Sequence, residues 1–146
     1  MKILLTGGGT GGHFYPVFAV SRALKRIAEE EKFLDMRLIY LSDFPFDLNI
    51  LKEEGVEFMS VPAGKVRRYF SWLNLADLFK TAFGIFRALI YIFWQMPDVI
   101  FAKGGYASFP TVLAAWLFRI PLVIHESDSV PGRVKMWAGK FATRIA

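Results

Sequence analysis

Five short apolar segments constrain the fold of this 146-residue chain more than any other feature. They are nearly continuous in β-branched and aromatic residues rather than alternating, which predicts strands covered on both faces. These segments are residues 2–6, 36–42, 56–61, 98–103 and 121–126. Helices are predicted between and after them: from Pro16 to about Glu31, from Asp47 to about Glu54, from Ser71 to Gln95, from Phe109 to Phe118, and after Pro131. Strands that alternate with helices predict an α/β fold, a Rossmann-like parallel sheet with helices on both faces.

The composition excludes several classes of protein. Hydrophobic residues make up 54% of the chain and charged residues 21%, so the chain is not a disordered one. The absence of cysteine excludes disulfides and thiolate chemistry, and the presence of only two histidines argues against a zinc site; we expect no metal and no cofactor. The first apolar run is too short for a secretion signal, which favours a cytoplasmic protein. The net charge of +5 favours an anionic partner, a phosphate ligand or an acidic lipid surface, and we expect no nucleic acid because no recognised motif is present.

The glycine-rich stretch GGGTGGHFYP, residues 7–16, lies between the first strand and the first helix. Without Cβ atoms, the backbone N–H groups of such a turn can approach an anion, and the helix N-terminus adds a partial positive charge. Pro16 is predicted in the first helical turn, where its missing N–H costs nothing. The stretch therefore predicts a phosphate-binding turn.

Two common phosphate motifs fit this turn incompletely. The pattern GxGxxG from Gly7 to Gly12 matches a dinucleotide site, but the acidic residue such a site needs, Asp43, comes late in the chain. The same spacing imitates a P-loop, except that His13 stands where the lysine belongs. Because a helix N-terminus disfavours the imidazolium, His13 is a candidate neutral base. The alternative is a histidine that only caps the helix or lines the turn.

Two further polar turns follow the fourth and fifth strands. KGGYAS, residues 103–108, repeats the glycine pair and adds a hydroxyl before the next helix, although an ordinary connecting turn has the same features. Lys103 either contacts a phosphate or extends toward solvent. HESD, residues 125–128, places an imidazole and two carboxylates at a strand end, and Asp128 has the alternative role of capping the next helix. Because the carboxyl ends of parallel strands meet at one edge, we expect all three turns to form one site.

The predicted helix over residues 71–95 is mostly large and apolar. Its polar residues recur every three or four positions: Asn74, Asp77, Lys80, Thr81, Gly84, Arg87, Tyr91 and Gln95. Three charges among them are incompatible with a membrane span. With Lys65, Arg67 and Arg68 just before it, the segment is predicted to lie on an anionic membrane surface. The alternative is a helix buried in the core or covered by another domain.

The three motifs GGGTGGHFYP, GGYASFP and HESDSVPG, in this order, resemble the MurG family of peptidoglycan N-acetylglucosaminyltransferases. The resemblance covers essentially the whole chain and implies the N-terminal half of a GT-B fold. This half would bind the acceptor, undecaprenyl-diphospho-muramoylpentapeptide, at the cytoplasmic face of the membrane as a peripheral protein. A C-terminal domain, absent from this chain, would hold the donor UDP-GlcNAc. The implied reaction converts lipid I to lipid II with inversion at the transferred GlcNAc.

The resemblance also implies roles for individual residues. Catalysis falls to His13, as the base, and Glu126. Donor binding falls to Thr10, Gly11, Gly12 and Asp128. Binding of the acceptor diphosphate falls to Gly8, Gly9, Gly104, Gly105, Tyr106 and Ser108. The chain departs from the family pattern at Ser127 and Asp128, where the family has Gln-Asn and an acid loses the amide donor, and at Lys135, where the family has asparagine.

Two alternatives from other functional classes remain at this point. The first is a non-catalytic membrane scaffold that recruits a separate donor-binding subunit. The second is a nucleotide-dependent oxidoreductase that uses the turn from Gly7 to Gly12. For the transferase hypothesis, we expect the isolated chain to bind membrane but to lack turnover.

Overall fold

A computed structural model describes residues 1–8, 10–32, 35–64, 73–125 and 133–145. Six strands form one parallel sheet in the order β3-β2-β1-β4-β5-β6. The strands are β1 (Lys2–Gly7), β2 (Arg37–Ser42), β3 (Glu57–Ser60), β4 (Val99–Gly104), β5 (Leu122–Ile124) and β6 (Arg144–Ile145). The helices are α1 (Gly11–Glu30), α2 (Leu48–Glu53), α3 (Leu73–Gln95), α4 (Phe109–Leu117) and α5 (Arg133–Ala138), with a 3₁₀ turn over Tyr106–Ser108. The predicted parallel α/β sheet is confirmed.

The sheet has a hydrophobic core on each face. On one face, Phe14 and Val17 of α1 pack with Leu51 of α2 against the central strands. On the other face, α3 contributes Ala88 and Ile92, and residues of α4 and α5 complete the core. The central strands are buried on both sides, which explains why their sequences are continuously apolar rather than alternating.

The first helix begins earlier than the sequence pattern predicts. α1 begins at Gly11 rather than at Pro16, so Pro16 lies inside the helix instead of in its first turn. As the sixth residue of α1, Pro16 removes the hydrogen bond to the Gly12 carbonyl, and its ring crowds that carbonyl. As a consequence of the early start, Gly11, Gly12 and His13 form the first turn of α1 rather than part of a loop.

The strand order reverses between β1 and β4. From β1 the chain winds outward to β2 and β3, then crosses back through α3 to β4 and continues to β5 and β6. In open parallel sheets this reversal opens a crevice beyond the carboxyl ends of the two central strands, where ligands bind. Here the two strands that flank the reversal are the ones followed by glycine turns.

Candidate functional site

The turn after β1 is anchored to the neighbouring strand through the carbonyl oxygen of Gly7. The hydroxyl of Ser42, the last residue of β2, donates to this oxygen at 2.9 Å, and the Tyr40 hydroxyl lies 3.5 Å from it. A Cβ atom on Gly7 would lie 3.3 Å from the carbonyl oxygen of His13, closer than most real contacts. The strand end and the first turn of α1 therefore touch through bare backbone.

The N-terminus of α1 presents amides that no side chain caps. Thr10 is the N-cap residue in an extended conformation, and its carbonyl accepts from the amides of His13 and Phe14. Its hydroxyl makes no capping bond, and the first turn contains no acidic residue. The amides of Gly11 and Gly12 have no acceptor within the helix, so this end of α1 suits an anion.

The imidazole of His13 lies between the two glycine turns. A Cβ atom on Gly8 would lie 3.2 Å from Cγ and Nδ1 of the ring, and one on Gly105 would lie 3.3 Å from Cδ2. Nδ1 is 2.8 Å from Oγ1 of Thr10. The ring is therefore held by Thr10 at Nδ1, while its Cδ2 atom lies next to the second turn.

The second turn, after β4, requires glycine at two successive positions. Gly104 has φ of 98° and Gly105 has φ of 85°, in the region that favours glycine. A Cβ on Gly105 would also lie 3.1 Å from Gly8 Cα. Ser108 is fully buried, and its hydroxyl donates to the Gly105 carbonyl at 2.8 Å. The sequence predicts that Ser108 binds the acceptor diphosphate, but in the structure its hydroxyl proton is donated within the turn.

Tyr106 follows the glycine pair and lies near an ion pair. Burial raises the pKa of its hydroxyl, and the neighbouring Asp43 raises the pKa further, so the group stays protonated and can donate a hydrogen bond. Asp43, just after β2, binds Lys80 of α3 at 2.8 Å, and its side chain is only 9% exposed. Since Lys80 occupies the carboxylate that a dinucleotide site would offer to a ribose, the geometry disfavours the oxidoreductase alternative.

The end of β5 contributes His125 to the same edge. Its amide donates to the Ala102 carbonyl at 3.0 Å, and its ring lies 6.2 Å from that of Phe101. Nδ1 of His125 is buried and has no hydrogen-bond partner among the described residues. The predicted third turn, with Glu126, Ser127 and Asp128, lies outside the described residues, as does Gly9; the Lys135 side chain is likewise not described.

The structure therefore brings together two of the three predicted turns. Gly8, Gly105 and His13 are in direct proximity, and Thr10 holds the ring. Gly11 is partly buried and Gly12 is exposed at the helix start, Gly104 is buried, and Tyr106 is partly buried. The sequence reasoning missed Ser42, and it named Asp43 and Lys80 separately without predicting their ion pair. The only signal for Ser42 was its place as a polar residue at the end of an otherwise apolar second strand.

The long helix α3 exposes its apolar side. Several large side chains are mostly in solvent, with Trp94 77% and Phe79 69% exposed. We call this surface the α3 apolar face; it comprises Leu75, Leu78, Phe79, Phe83, Phe86, Ile90, Phe93 and Trp94. Exposed apolar surface of this extent is typical of an interaction site in a folded protein. The alternative of a helix buried all round is wrong for the described residues.

The polar stripe of α3 instead faces the body of the protein. Thr81 accepts from the Gly64 amide at 2.9 Å, and an Arg87 nitrogen lies 3.6 Å from the Met59 sulfur. A Cβ on Gly84 would overlap the carbonyl oxygen of Pro62, so this position needs glycine for the close approach. Among the described residues, no helix has the length and apolar character required to span a membrane. The basic residues Lys65, Arg67 and Arg68 lie outside the described residues.

Fold and site together define an α/β domain with glycine turns and a histidine at the reversal point of a parallel sheet. Residues 3–146 match the model of the glycosyltransferase family 28 N-terminal domain, and the chain belongs to that family. It is 39% identical over 144 residues to a Clostridium botulinum protein named UDP-N-acetylglucosamine--N-acetylmuramyl-(pentapeptide) pyrophosphoryl-undecaprenol N-acetylglucosamine transferase. It is 40% identical over 146 residues to the Geobacillus kaustophilus protein of the same name. In both comparisons the alignment covers 99% of this chain but 39% of the relative, so the chain spans about two fifths of these proteins.

Solved structures agree with the fold. Acinetobacter baumannii MurG matches with a TM-score of 0.77 at 24% identity, covering 99% of this chain and 40% of that one. The UDP-GlcNAc 2-epimerase of Methanocaldococcus jannaschii matches with a TM-score of 0.63 at 13% identity, covering 99% and 38%. These likenesses confirm the predicted GT-B N-terminal fold, and the family match confirms the resemblance found in the sequence.

Proposed function

We propose that this chain is the acceptor-binding half of a transferase that moves GlcNAc from UDP-GlcNAc to undecaprenyl-diphospho-muramoylpentapeptide, lipid I, in peptidoglycan synthesis. One observation carries the proposal: the two glycine turns converge on the His13 ring at the reversal point of the sheet. Bare backbone beside a helix N-terminus suits a diphosphate, and an imidazole next to it suits proton transfer. The names of the relatives supply the substrates, and the site supplies groups that fit them.

In this proposal His13 is the general base. For Nε2 to accept a proton, Nδ1 must carry the ring hydrogen and donate it to Thr10 Oγ1, which lies 2.8 Å away. Nε2 takes the proton of the acceptor hydroxyl as its oxygen attacks the anomeric carbon of GlcNAc. The bond from that carbon to the UDP oxygen breaks, and UDP leaves with the electron pair. Attack from the face opposite UDP gives inversion.

The remaining predicted residues take supporting roles. The backbone of Gly8, Gly9, Gly104 and Gly105 would hold the acceptor diphosphate, and the protonated Tyr106 hydroxyl would donate to it. Ser108 would shape the second turn through its bond to Gly105. Thr10, Gly11 and Gly12 would meet the donor at the start of α1, with Asp128. Glu126 would assist catalysis.

The α3 apolar face gives the proposed acceptor a route to the site. A lipid-linked substrate must be taken from a bilayer, and an exposed apolar helix face can lie in the headgroup region without crossing it. The net charge of +5 favours anionic lipid. We therefore propose peripheral binding at the cytoplasmic face of the membrane.

A donor-binding domain completes the proposal, because the relatives are much longer than this chain. The test is to fuse the chain to the C-terminal portion of the Geobacillus kaustophilus relative and to measure GlcNAc transfer from UDP-GlcNAc to lipid I in vesicles. We expect transfer by the fusion, and vesicle binding without turnover by the chain alone. Turnover by the chain alone would remove the need for a donor domain.

The same experiment separates the scaffold alternative. A fusion that binds lipid I vesicles but transfers nothing, while a separate subunit restores transfer, would favour a non-catalytic membrane scaffold. A fusion that shows no preference for vesicles with lipid I over plain vesicles would overturn the proposed acceptor role.

A further inference from the structure

Ser42 is a buried serine to which the proposed reaction gives no role. It is the last residue of β2, it is fully buried, and its hydroxyl donates to the Gly7 carbonyl oxygen at 2.9 Å. Burying a hydroxyl costs free energy unless a hydrogen bond compensates for it, and an alanine would avoid that cost. A serine at this position therefore indicates that the bond to Gly7 matters.

The bond of Ser42 holds the peptide between Gly7 and Gly8. Neither glycine has a Cβ atom, so this peptide can rotate at a smaller steric cost than one between other residues. In a trans peptide the C=O and N–H groups point in opposite directions. Because the Gly7 carbonyl points to β2, the Gly8 amide points away from β2, and a Cβ on Gly105 would lie 3.2 Å from the Gly8 nitrogen. The bond therefore turns Gly8 toward the second turn.

The pairing of β1 with β4 changes register at the same place. Thr6 pairs with Ala102, but the next residue, Gly7, pairs with Gly104. Lys103 is the additional residue between these pairs, as in a β-bulge, which disrupts the ladder locally. The backbone at Gly7 therefore relies more on side-chain hydrogen bonds than the rest of β1 does.

Two further buried hydroxyls join the ends of β1 and β2. The Thr6 hydroxyl donates to the Leu41 carbonyl at 2.8 Å, in the direction opposite to the bond from Ser42 to Gly7. The Tyr40 hydroxyl lies 3.5 Å from the Gly7 oxygen, and burial raises the pKa of Tyr40, so the hydroxyl stays protonated. Since Ser42 makes the shorter contact with Gly7, it supplies most of the restraint.

Gly8 transmits this restraint to the His13 ring. A Cβ on Gly8 would lie 3.2 Å from Cγ and Nδ1 of the ring, so the imidazole lies directly against the Gly8 backbone. Rotation of the peptide between Gly7 and Gly8 would move the surface that the ring contacts. It would also turn the Gly7 carbonyl oxygen away from β2, into a turn that needs N–H groups to bind an anion.

We propose that Ser42 is a positioning residue: its hydroxyl fixes the rotation of the peptide between Gly7 and Gly8, and through Gly8 it sets the place of the His13 ring. The meaning of this for phosphate binding and catalysis rests on the proposed function, whereas the place of the ring does not. Loss of one neutral hydrogen bond changes an equilibrium by about 2- to 10-fold, which sets the size of the expected effects.

The direct measurement is the NMR spectrum of this chain without ligand, in Ser42→Ala and in the matched control Ser21→Ala. Ser21 is 1% exposed, and its hydroxyl donates to the Phe18 carbonyl at 2.7 Å, so both variants remove a buried hydroxyl that is bound to a carbonyl. We expect similar losses of stability. Only Ser42→Ala should shift the Gly8 amide resonance and the ring resonances of His13, which are assigned with His13→Gln.

Inorganic pyrophosphate serves as the ligand probe. We expect Ser42→Ala to weaken its binding about 2- to 10-fold relative to wild type and to Ser21→Ala, and Tyr40→Phe to weaken it less, because its contact is longer. Ring resonances of His13 that stay at wild-type positions in Ser42→Ala would overturn the proposal. If this variant does not fold, Ser42→Cys keeps a side chain of similar shape with a weaker donor and should show the same shifts in smaller size.

The outcome is separable from that of the proposed function. In the fused enzyme, Ser42→Ala should raise the KM for lipid I and lower kcat, whereas Ser21→Ala should change neither. Ring resonances that shift in the chain while KM and kcat stay fixed would leave the positioning role of Ser42 standing and contradict the role of His13 as the base. A wild-type chain that binds no pyrophosphate would contradict the phosphate role of the turns, while the ring resonances still decide the role of Ser42.

Discussion

Helices α1 and α3 lie on opposite faces of the sheet and present opposite sides to the protein. α1, 20 residues long, buries Phe14 and Val17 and exposes charged residues such as Arg26. α3, 23 residues long, turns its polar stripe inward and exposes a row of aromatic side chains. Both helices are amphipathic, so amphipathicity alone does not tell which side of a helix faces the core.

The difference between the two helices follows from how each contacts the sheet. α1 packs through large side chains, and its free N-terminus points into the crevice with His13. α3 approaches the Pro62 carbonyl through Gly84, where a side chain would overlap it, and farther along it contributes Ala88 and Ile92 to the core. We infer that α1 serves the chemistry of the site and α3 serves its contact with the membrane. The following predictions test this division, from the largest expected effect to the smallest.

The largest effect is expected for His13→Ala in the first turn of α1. Loss of a general base lowers rates by about 10²–10⁴-fold, so transfer by the fused enzyme should fall by that factor. Vesicle binding and the unfolding midpoint should stay unchanged, since α3 and the core are untouched. Transfer within about threefold of wild type would mean that another group accepts the proton.

Removal of one aromatic ring from each helix should have unequal effects on stability. Phe14 is 1% exposed, so Phe14→Ala should lower the free energy of unfolding by about 3–5 kcal/mol. Phe86 is 60% exposed, so Phe86→Ala should change it by no more than about 0.5 kcal/mol. Denaturant titration of both variants measures the difference. Similar losses would show that α3 is packed against the protein on both sides.

Membrane binding, unlike stability, should depend on the exposed rings of α3 and not on side chains of α1. The double variant Phe79→Ser and Phe86→Ser removes two exposed rings, each of which contributes about 1.5–3 kcal/mol when fully buried in an apolar medium. With partial insertion, we expect partitioning onto anionic vesicles to weaken about 10- to 100-fold in a sedimentation assay. Ile27→Ser, which removes an exposed apolar side chain from α1, is the matched control and should bind like wild type. Equal binding by all three proteins would argue that α3 contacts another protein surface.

The smallest effect is expected at the contact between α1 and the second turn. Gly105→Ala forces a Cβ into positive-φ backbone and against Gly8, which should cost about 1–2 kcal/mol of unfolding free energy. Gly12→Ala has nothing within 4 Å of the new methyl group and should leave stability equal or slightly higher. Thermal unfolding compares the two. A Gly105→Ala variant as stable as Gly12→Ala would show that the two turns do not need to touch.

Much of the fold was predictable because its signals are local. Apolar runs such as KILLT and DVIFAK predict buried parallel strands, and the structure places strands there. The start of α1 was not predictable from Pro16, because the preference of proline for the first helical position is only statistical and Pro16 lies in the second turn of α1. The second turn was found through its glycine pair. Ser42 was not found, because a serine at a strand end has no distinctive pattern until its partner, the Gly7 carbonyl, is known.

By itself, the sequence determined the class of fold, the turns that carry glycine and histidine, and the family, since each depends on residue types at short spacing. Only the tertiary structure decided which groups meet. The reversal of strand order brings Gly8 and Gly105, nearly a hundred residues apart, onto the two sides of the His13 ring. The bulge in β4 buries Lys103 below them, and close backbone packing at Gly84 turns the apolar side of α3 outward. Contacts between distant segments depend on strand order and on the space that small residues leave, neither of which local periodicity encodes.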